Sequence, residues 1–119
     1  MSKFLGDLFE ERVVNYLLKK GFKVLSRNYR SRFGEIDIIA QKSSKLAVIE
    51  VKGGKSWENI PYRVDCNKLK RIFLTFQKWL GENSNYESIE VVFLTALVVE
   101  GKISFKRVYL EDCSEYWEI

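Results

Sequence analysis

Two short apolar stretches of the sequence carry acidic side chains that could perform chemistry. Glu35 and Asp37 lie among isoleucines, and Glu50 and Lys52 lie among valines after a short polar break. Side chains alternate between the two faces of a strand, so each of these pairs is expected to share one face, with the apolar residues on the other. Burying an unpaired carboxylate is unfavourable, so acids within apolar strands indicate a functional site.

This grouping suits a divalent cation and a phosphodiester. Asp37 and Glu50 supply the hard oxygen ligands that Mg²⁺ or Mn²⁺ takes, and Lys52 is expected to contact the attacking water or a phosphate oxygen. Glu35 is a third metal ligand, an acceptor for an arginine, or a solvated residue. Glu10, on the first predicted helix, is either a further carboxylate of the site or a solvated helix charge. The simpler alternative for Glu50 and Lys52 is a surface ion pair worth at most about 1 kcal/mol.

Basic side chains near these acids are candidates for contacting a nucleic-acid backbone. They are Arg30, Arg32, Lys55, Lys68 and Arg71. The formal charge of the chain is +4, but its last ten residues hold four acids and no base, so residues 1–109 carry 20 basic against 12 acidic side chains, a net charge of +8. Neutralising phosphates releases counterions, so this excess favours DNA as a partner. The alternative is a basic surface that is merely solvated.

Histidine is absent from the sequence, which excludes Ser-His-Asp, Cys-His and histidine-ligated zinc chemistry. Any catalysis must therefore use carboxylates and lysines. Cys66 and Cys113 are far apart in the sequence, and both are predicted to be ordinary thiols in a reducing compartment. No apolar run is long enough for a membrane span or a secretion signal, so we expect a cytoplasmic protein without a membrane partner.

The periodicity of apolar residues predicts a single α/β domain over residues 1–119, with a core of residues 1–109 and an acidic C-terminal segment of residues 110–119. The predicted helices cover residues 4–20 and 65–80, the second with Asp65 as its N-cap. The predicted strands cover residues 22–26, 34–40, 48–52, 89–99 and 103–108. Residues 28–32 are predicted to be a basic connection, residues 53–62 an irregular stretch, and residues 109–119 either a short helix or an irregular tail. The order of elements predicts a central mixed five-stranded sheet flanked by helices, with the second and third strands forming an antiparallel hairpin.

The apolar stripe predicted for the first helix consists of Leu5, Phe9, Val13, Tyr16 and Leu17. A stripe of this kind is the face that a helix turns toward a sheet.

Several short motifs resemble the YraN family of small bacterial proteins. They are Gly6 and Glu10, then residues 16–17, 21–22, 28–30, 33–40, 50–52, 64–65 and 68–72. The resemblance runs from about residue 6 to residue 80. That family is assigned to the PD-(D/E)xK, or restriction-endonuclease-like, superfamily and is similar to archaeal Holliday junction resolvases.

The resemblance implies a restriction-endonuclease-like core, with Asp37, Glu50 and Lys52 as the superfamily's Asp, Glu and Lys, and Glu10 as the acid of the first helix. It further implies a magnesium-dependent endonuclease that hydrolyses DNA, with branched or otherwise altered DNA as a candidate substrate and a homodimer as a candidate assembly. The sequence departs from the family at residues 53–54, where two glycines replace a small polar residue and an arginine.

Two other functions remain open at this point. The first is a non-catalytic nucleic-acid-binding module that retains the nuclease fold. The second is a protein-interaction domain that docks through its acidic tail, which includes Tyr116 and Trp117.

Overall fold

The structure, a computed structural model, describes residues 3–55, 65–86 and 89–113. Its elements follow the predicted order of one helix, three strands, one helix and two strands. They are α1 (Lys3–Lys19), β1 (Lys23–Ser31), β2 (Gly34–Lys42), β3 (Lys45–Gly54), α2 (Cys66–Glu82), β4 (Glu90–Val99) and β5 (Lys102–Val108), with 3-10 turns at Ser84–Tyr86 and Leu110–Cys113. The predicted α/β fold class is confirmed, and the architecture is consistent with a restriction-endonuclease-like core.

The five strands form one sheet in the order β1-β2-β3-β4-β5. Strands β3 and β4 run parallel, and every other neighbouring pair is antiparallel. The sheet is therefore mixed, and the predicted hairpin of β2 and β3 is confirmed. The β3–β4 connection contains α2, as a crossover between parallel strands requires.

The two helices cover opposite faces of the sheet. The buried residues on the α1 face include Val13, Val14, Leu17, Ile38 and Ile49. Those on the α2 face include Ile36, Val48, Leu69, Ile72, Phe76 and Phe93. Among the described helices, none combines the length and the apolar character that a membrane crossing needs.

Helix α1 ends at Lys19, close to the predicted boundary, because Gly21 adopts the left-handed conformation (φ +89°) that commonly terminates helices. The predicted apolar stripe is wrong at two positions: Leu5 is 46% exposed and Tyr16 is 37% exposed. The buried part of the stripe is centred on Val13 and Leu17, which face the sheet.

Helix α2 begins as predicted. The Asp65 side chain accepts a hydrogen bond from the backbone N–H of Lys68 at 3.1 Å, which satisfies one of the free donors of the first turn. The helix ends at Glu82, two residues later than predicted, where the Asn83 side chain donates to the carbonyl of Trp79 at 2.8 Å.

Two predicted connections belong to strands instead. Strand β1 continues to Ser31, because Tyr29 and Arg30 pair with Ile36 and Glu35 of β2. Strand β3 continues to Gly54, because its glycines pair in parallel with β4. In both places the hydrogen-bonded ladder to a neighbouring strand outweighs local residue preferences, as is common in sheets.

The prediction of two ordinary thiols is wrong. Cys66, at the start of α2, and Cys113, which is fully buried, form a disulfide across a sequence separation of 47 residues. Their Cα atoms lie 5.5 Å apart because the C-terminal 3-10 turn packs beside the beginning of α2, a proximity that sequence spacing alone does not reveal. Residues 110–113 form that turn, whereas the predictions for residues 56–64 and 114–119 fall outside the described residues.

Candidate functional site

The regular alternation of β2 breaks at Asp37. Ile36 packs on the α2 face whereas Ile38 packs on the α1 face, although strict alternation predicts that these two side chains share a face. In the described sheet, Asp37 has no paired residue in either neighbouring strand. The β1–β2 pairs include Ile36 and Ile38 but not Asp37, and the β2–β3 pairs begin at Ile38. Asn28, which would stand opposite Asp37 in β1, has a left-handed backbone (φ 53°).

The Asp37 carboxylate makes use of this irregularity. Its Oδ2 accepts a hydrogen bond of 2.7 Å from the backbone N–H of Val51 on β3. The pKa of Asp37 is raised from 3.8 to about 6, chiefly by burial and also by the nearby Glu50 and Glu35 carboxylates, although the Val51 hydrogen bond and Lys68 lower it in part. The carboxylate is thus held in place by a neighbouring strand but remains unfavourable to ionise without a cation.

Glu50 lies next to Asp37 on β3 and is largely enclosed, with 15% of its side chain exposed. Its Oε1 lies 2.7 Å from Nζ of Lys68 on α2 and 3.7 Å from Nζ of Lys52 on its own strand. This oxygen is buried and makes no hydrogen bond of regular geometry, so the contact with Lys68 is an ion pair. Lys68 was predicted to bind a nucleic-acid backbone, but in this structure its ammonium neutralises Glu50.

Glu10 of α1 reaches the same region from the opposite helix. The terminal amide of Asn28 lies 2.9 Å from Oε1 of Glu10 and 3.0 Å from Oε1 of Glu35, and its nitrogen faces both carboxylates because only a donor suits two acceptors. The pKa of Glu10 is raised from 4.5 to about 6, chiefly by burial and then by the nearby Asp37 and Glu35 carboxylates. Of the two readings of Glu10, the structure therefore favours a position beside the other acids.

We refer to Glu10, Glu35, Asp37 and Glu50 as the four-acid group. Three of its members line one open cleft between α2 and the sheet. The polar wall of the cleft contains Glu35, Asp37, Glu50, Lys52, Asp65, Lys68, Thr95 and Lys106. Its apolar wall includes Ile36, Val48, Leu69, Ile72, Phe93 and Val108. The sequence-based expectation that the carboxylates of Asp37 and Glu50 and the amine of Lys52 share one pocket agrees with this geometry.

The other predicted basic contacts lie at different distances from the cleft. Arg30 is three-quarters exposed and lies 3.7 Å from Glu35, so it reaches the edge of the four-acid group. Arg32 rests over the ring of Phe33, Arg71 donates to the Asn67 carbonyl at 3.4 Å, and Lys55 is exposed just after β3. None of these last three lines the cleft, and Lys55 is the last described residue before the gap at 56–64.

The donor set fits a hard divalent cation. Its oxygen atoms are carboxylate oxygens, and Mg²⁺ commonly takes only one or two protein carboxylates while it retains several waters. Asp37 and Glu50 are the residues that would hold such an ion. In the described parts of the chain no three acids are close enough to form a ready-made metal cage. Lys68 and Lys52 contact only Oε1 of Glu50, so a cation that uses this oxygen would have to displace the ammonium of Lys68.

Comparison with known proteins gives the family of the chain. A family model described as "Uncharacterised protein family UPF0102" matches residues 9–98, which are 90 of the 119 residues. The chain belongs to the UPF0102 family. This is the YraN family, so the resemblance drawn from the sequence motifs is confirmed at the level of the family.

The chain is similar to UPF0102 proteins of several bacteria. The UPF0102 protein of Kosmotoga olearia is 42% identical over 98 residues, which cover 77% of this chain and 85% of that protein. A UPF0102 protein of Tropheryma whipplei is 35% identical over 109 residues, which cover 83% and 91% of the two chains. That of Pseudothermotoga lettingae is 48% identical over a shorter stretch of 71 residues, covering 60% and 66%.

The glycine that departs from the YraN pattern at residue 53 has a structural role in this UPF0102 protein. A Cβ atom at Gly53 would overlap the ring of Phe9 on α1, so the glycine permits close approach of the helix to β3. Phe9 immediately precedes Glu10, and Gly53 immediately follows Lys52. The contact therefore sets the distance between the acid of α1 and the carboxylates on the sheet.

Residue patterns alone missed Asn28, Thr95 and Lys106. Asn28 belongs to a stretch predicted to be a connection, and its amide joins the two glutamates only because β1 continues past it. Thr95 and Lys106 reach the cleft through strand pairings between distant parts of the chain. A polar residue at every second position of β5 was the one available signal, and that pattern is equally typical of a solvated strand face.

Proposed function

We propose that this UPF0102 protein is a metal-dependent nuclease that hydrolyses phosphodiester bonds in DNA. The observation that carries the proposal is that Asp37, Glu50 and Lys52 line a single cleft, with Asp37 fixed by the Val51 amide. Two adjacent carboxylates and a lysine are the groups that a metal-assisted attack on phosphorus requires. The YraN resemblance supports the same roles, because these residues occupy the superfamily's Asp, Glu and Lys positions.

Each residue of the cleft has a distinct task in this proposal. Asp37 and Glu50 would hold Mg²⁺ or Mn²⁺, which would supply Lewis-acid stabilisation of the charge that develops on the phosphate. The ammonium of Lys52, 3.7 Å from Glu50 and about a quarter exposed, is positioned to donate to a phosphate oxygen or to the attacking water. Lys68 neutralises Glu50 in the free protein, and its place in the cleft lining would also let its ammonium contact a substrate phosphate.

Glu10 of α1 and Glu35 of β2 support the site. Both accept from the Asn28 amide, which holds their carboxylates near Asp37. A carboxylate with a pKa raised to about 6, as burial produces for Glu10, is suited to exchange a proton with water near neutral pH. Branched or altered DNA remains the candidate substrate from the family resemblance. The homodimer expected from the same resemblance remains a prediction, which sedimentation velocity with and without DNA would test.

The proposal is tested by incubating the purified protein with labelled duplex, single-stranded and four-way-junction DNA, each with Mg²⁺ or Mn²⁺. We expect cleavage of at least one substrate by the wild type. Asp37→Ala and Lys52→Ala should each reduce its rate by about a hundredfold or more. Lys45→Ala is the matched control, because Lys45 is an exposed lysine at the opposite end of β3. Absence of cleavage by the wild type on every substrate, or full activity in Lys52→Ala, contradicts the proposal.

The Glu50–Lys68 ion pair favours a second candidate function. At 2.7 Å the lysine occupies a carboxylate oxygen that a metal would use, which suits a nucleic-acid-binding module that retains the fold without catalysis. This alternative predicts salt-sensitive DNA binding without turnover, unaffected by Lys52→Ala. The cleavage assay above separates the two functions, since only a nuclease loses turnover in that variant.

A further inference from the structure

A row of polar side chains continues from the acids across the rest of the sheet. Glu50 of β3 pairs with Thr95 of β4, and Thr95 pairs in turn with Lys106 of β5. Residues paired across neighbouring strands project on the same face, so the three side chains stand side by side. All three line the cleft that contains Asp37.

The spacing along this row can be derived from the geometry of the sheet. Neighbouring strands lie about 4.8 Å apart, so the backbone of Lys106 is about 10 Å from that of Glu50. A lysine ammonium stands on a flexible four-carbon stem and can reach several ångströms toward the cleft. Lys106 thus adds a positive charge to the cleft from β5, two strands away from Glu50.

The chemistry of a nucleic-acid strand matches such an arrangement. A strand carries one phosphate per nucleotide, so a phosphate that reacts at the acids necessarily places a second phosphate a short distance further along the cleft. Lys52 and Lys68 are both in contact with Glu50 and serve the reacting position. The β5 side of the cleft adds a third lysine, Lys106, and Thr95 lies on the strand between it and Glu50.

We propose that Lys106, together with the Thr95 hydroxyl, binds the backbone phosphate adjacent to the one that reacts. This inference rests on the proposed function. Lys106 lies beyond residues 9–98, the segment that matches the family model, so the family resemblance assigns it no role. It acts as a substrate-positioning residue that sets the register of the strand and takes no part in bond breaking.

The test measures binding separately from cleavage. A labelled single-stranded oligonucleotide is titrated with wild type, Lys106→Gln and Lys102→Gln in Ca²⁺, over a series of salt concentrations. Lys102 is the matched control, because it is an exposed lysine on the same strand and the same face that does not line the cleft.

We expect Lys106→Gln to weaken binding about three- to tenfold at low salt and to lower the slope of log K against log salt by about 0.7, the value for one phosphate contact on a single strand. Lys102→Gln should change affinity less than about twofold. Lys106→Arg retains the charge and should retain the wild-type slope, which keeps the test valid if the glutamine variant does not fold. In cleavage assays Lys106→Gln should raise KM and leave kcat unchanged.

The outcomes distinguish this inference from the proposed nuclease. Cleavage by the wild type, with Lys106→Gln and Lys102→Gln equal in affinity and slope, overturns the phosphate subsite and leaves the nuclease standing. Binding that depends on Lys106, without cleavage on any substrate, retains the subsite and overturns the nuclease. If the slope of log K against log salt falls in Lys106→Arg as much as in Lys106→Gln, the effect does not depend on the charge of residue 106, and the subsite is also overturned.

Discussion

Neutralising Asp37 should make the metal-free protein more stable, although it removes a proposed metal ligand. The carboxylate ionises with difficulty in the fold, since burial raises its pKa from 3.8 to about 6. Asp37→Asn removes the charge and retains an oxygen that can accept from the Val51 N–H. The variant therefore eliminates an unfavourable ionisation without breaking the hydrogen bond that fixes the side chain.

The size of the effect follows from the change in proton affinity. A tenfold change in proton affinity corresponds to about 1.4 kcal/mol, so a rise from 3.8 to about 6 sets an upper limit of about 3 kcal/mol at neutral pH. Water at the mouth of the cleft and adjustment of Lys68 reduce this value. We expect Asp37→Asn to raise the free energy of unfolding by about 1–2 kcal/mol at pH 8.

The pH dependence has a definite sign. Below about pH 4 the carboxyl is protonated in both the folded and the unfolded protein, so the substitution should bring no gain. Between about pH 4 and pH 7 the folded wild type binds more protons at Asp37 than the unfolded chain does, so its stability falls as pH rises. The advantage of Asp37→Asn should therefore grow over this interval and become constant above it.

Urea denaturation of wild type and variant in metal-free buffer, at pH values from 4 to 8, measures this difference. Asp112→Asn, at an exposed acid that does not line the cleft, is the matched control and should show no such gain. Mg²⁺ at ten times its dissociation constant should then stabilise the wild type by about 1.4 kcal/mol and leave Asp37→Asn nearly unchanged. A variant that is less stable than the wild type at pH 8, or an advantage independent of pH, would refute the reasoning.

Two further predictions concern the framework of the site. Gly53→Ala should destabilise the protein by about 1–3 kcal/mol in urea denaturation, because the added methyl meets the ring of Phe9. The control Gly81→Ala lies in open space on α2 and should stabilise the protein by about 0.5–1 kcal/mol. Equal effects of the two substitutions would show that α1 can move away from β3 freely. Reduction of the Cys66–Cys113 disulfide should lower the free energy of unfolding by about 2–4 kcal/mol, since the bridge closes a separation of 47 residues. Urea denaturation with and without reductant measures this difference. A thiol titration of the denatured protein before reduction should find no free thiol, and two free thiols would contradict the disulfide.

The features predicted correctly from the sequence depend on local signals. The Asp65 cap, the polar turn between β2 and β3, and the glycine that ends α1 each act within a few residues, so local chemistry is sufficient to locate them. The proximity of Asp37 to Glu50 followed from the hairpin, because an antiparallel turn brings the two short stretches together. These signals also made the order of the elements predictable.

The features that were missed depend on contacts between distant residues. The Cys66–Cys113 bridge needs the C-terminal turn to return to α2, and the Lys106 position needs the parallel pairing of β3 with β4 followed by the pairing of β4 with β5. The break in alternation at Asp37, where the side chain accepts from a backbone N–H of the adjacent strand, was also unpredictable from the residue pattern. Residue periodicity contains no information about any of these long-range contacts.

The amide of Asn28 has a consequence for the order in which ligands arrive. It supplies hydrogen bonds to two carboxylates but adds no charge. The residues that line the cleft include four acids, Glu35, Asp37, Glu50 and Asp65, and three lysines, Lys52, Lys68 and Lys106. The formal charge of the residues that line the cleft is therefore negative, even though the net charge of the chain as a whole is positive. An incoming polyanion is drawn to the molecule yet repelled at its reactive centre, until a divalent ion reverses the local sign and converts that repulsion into attraction.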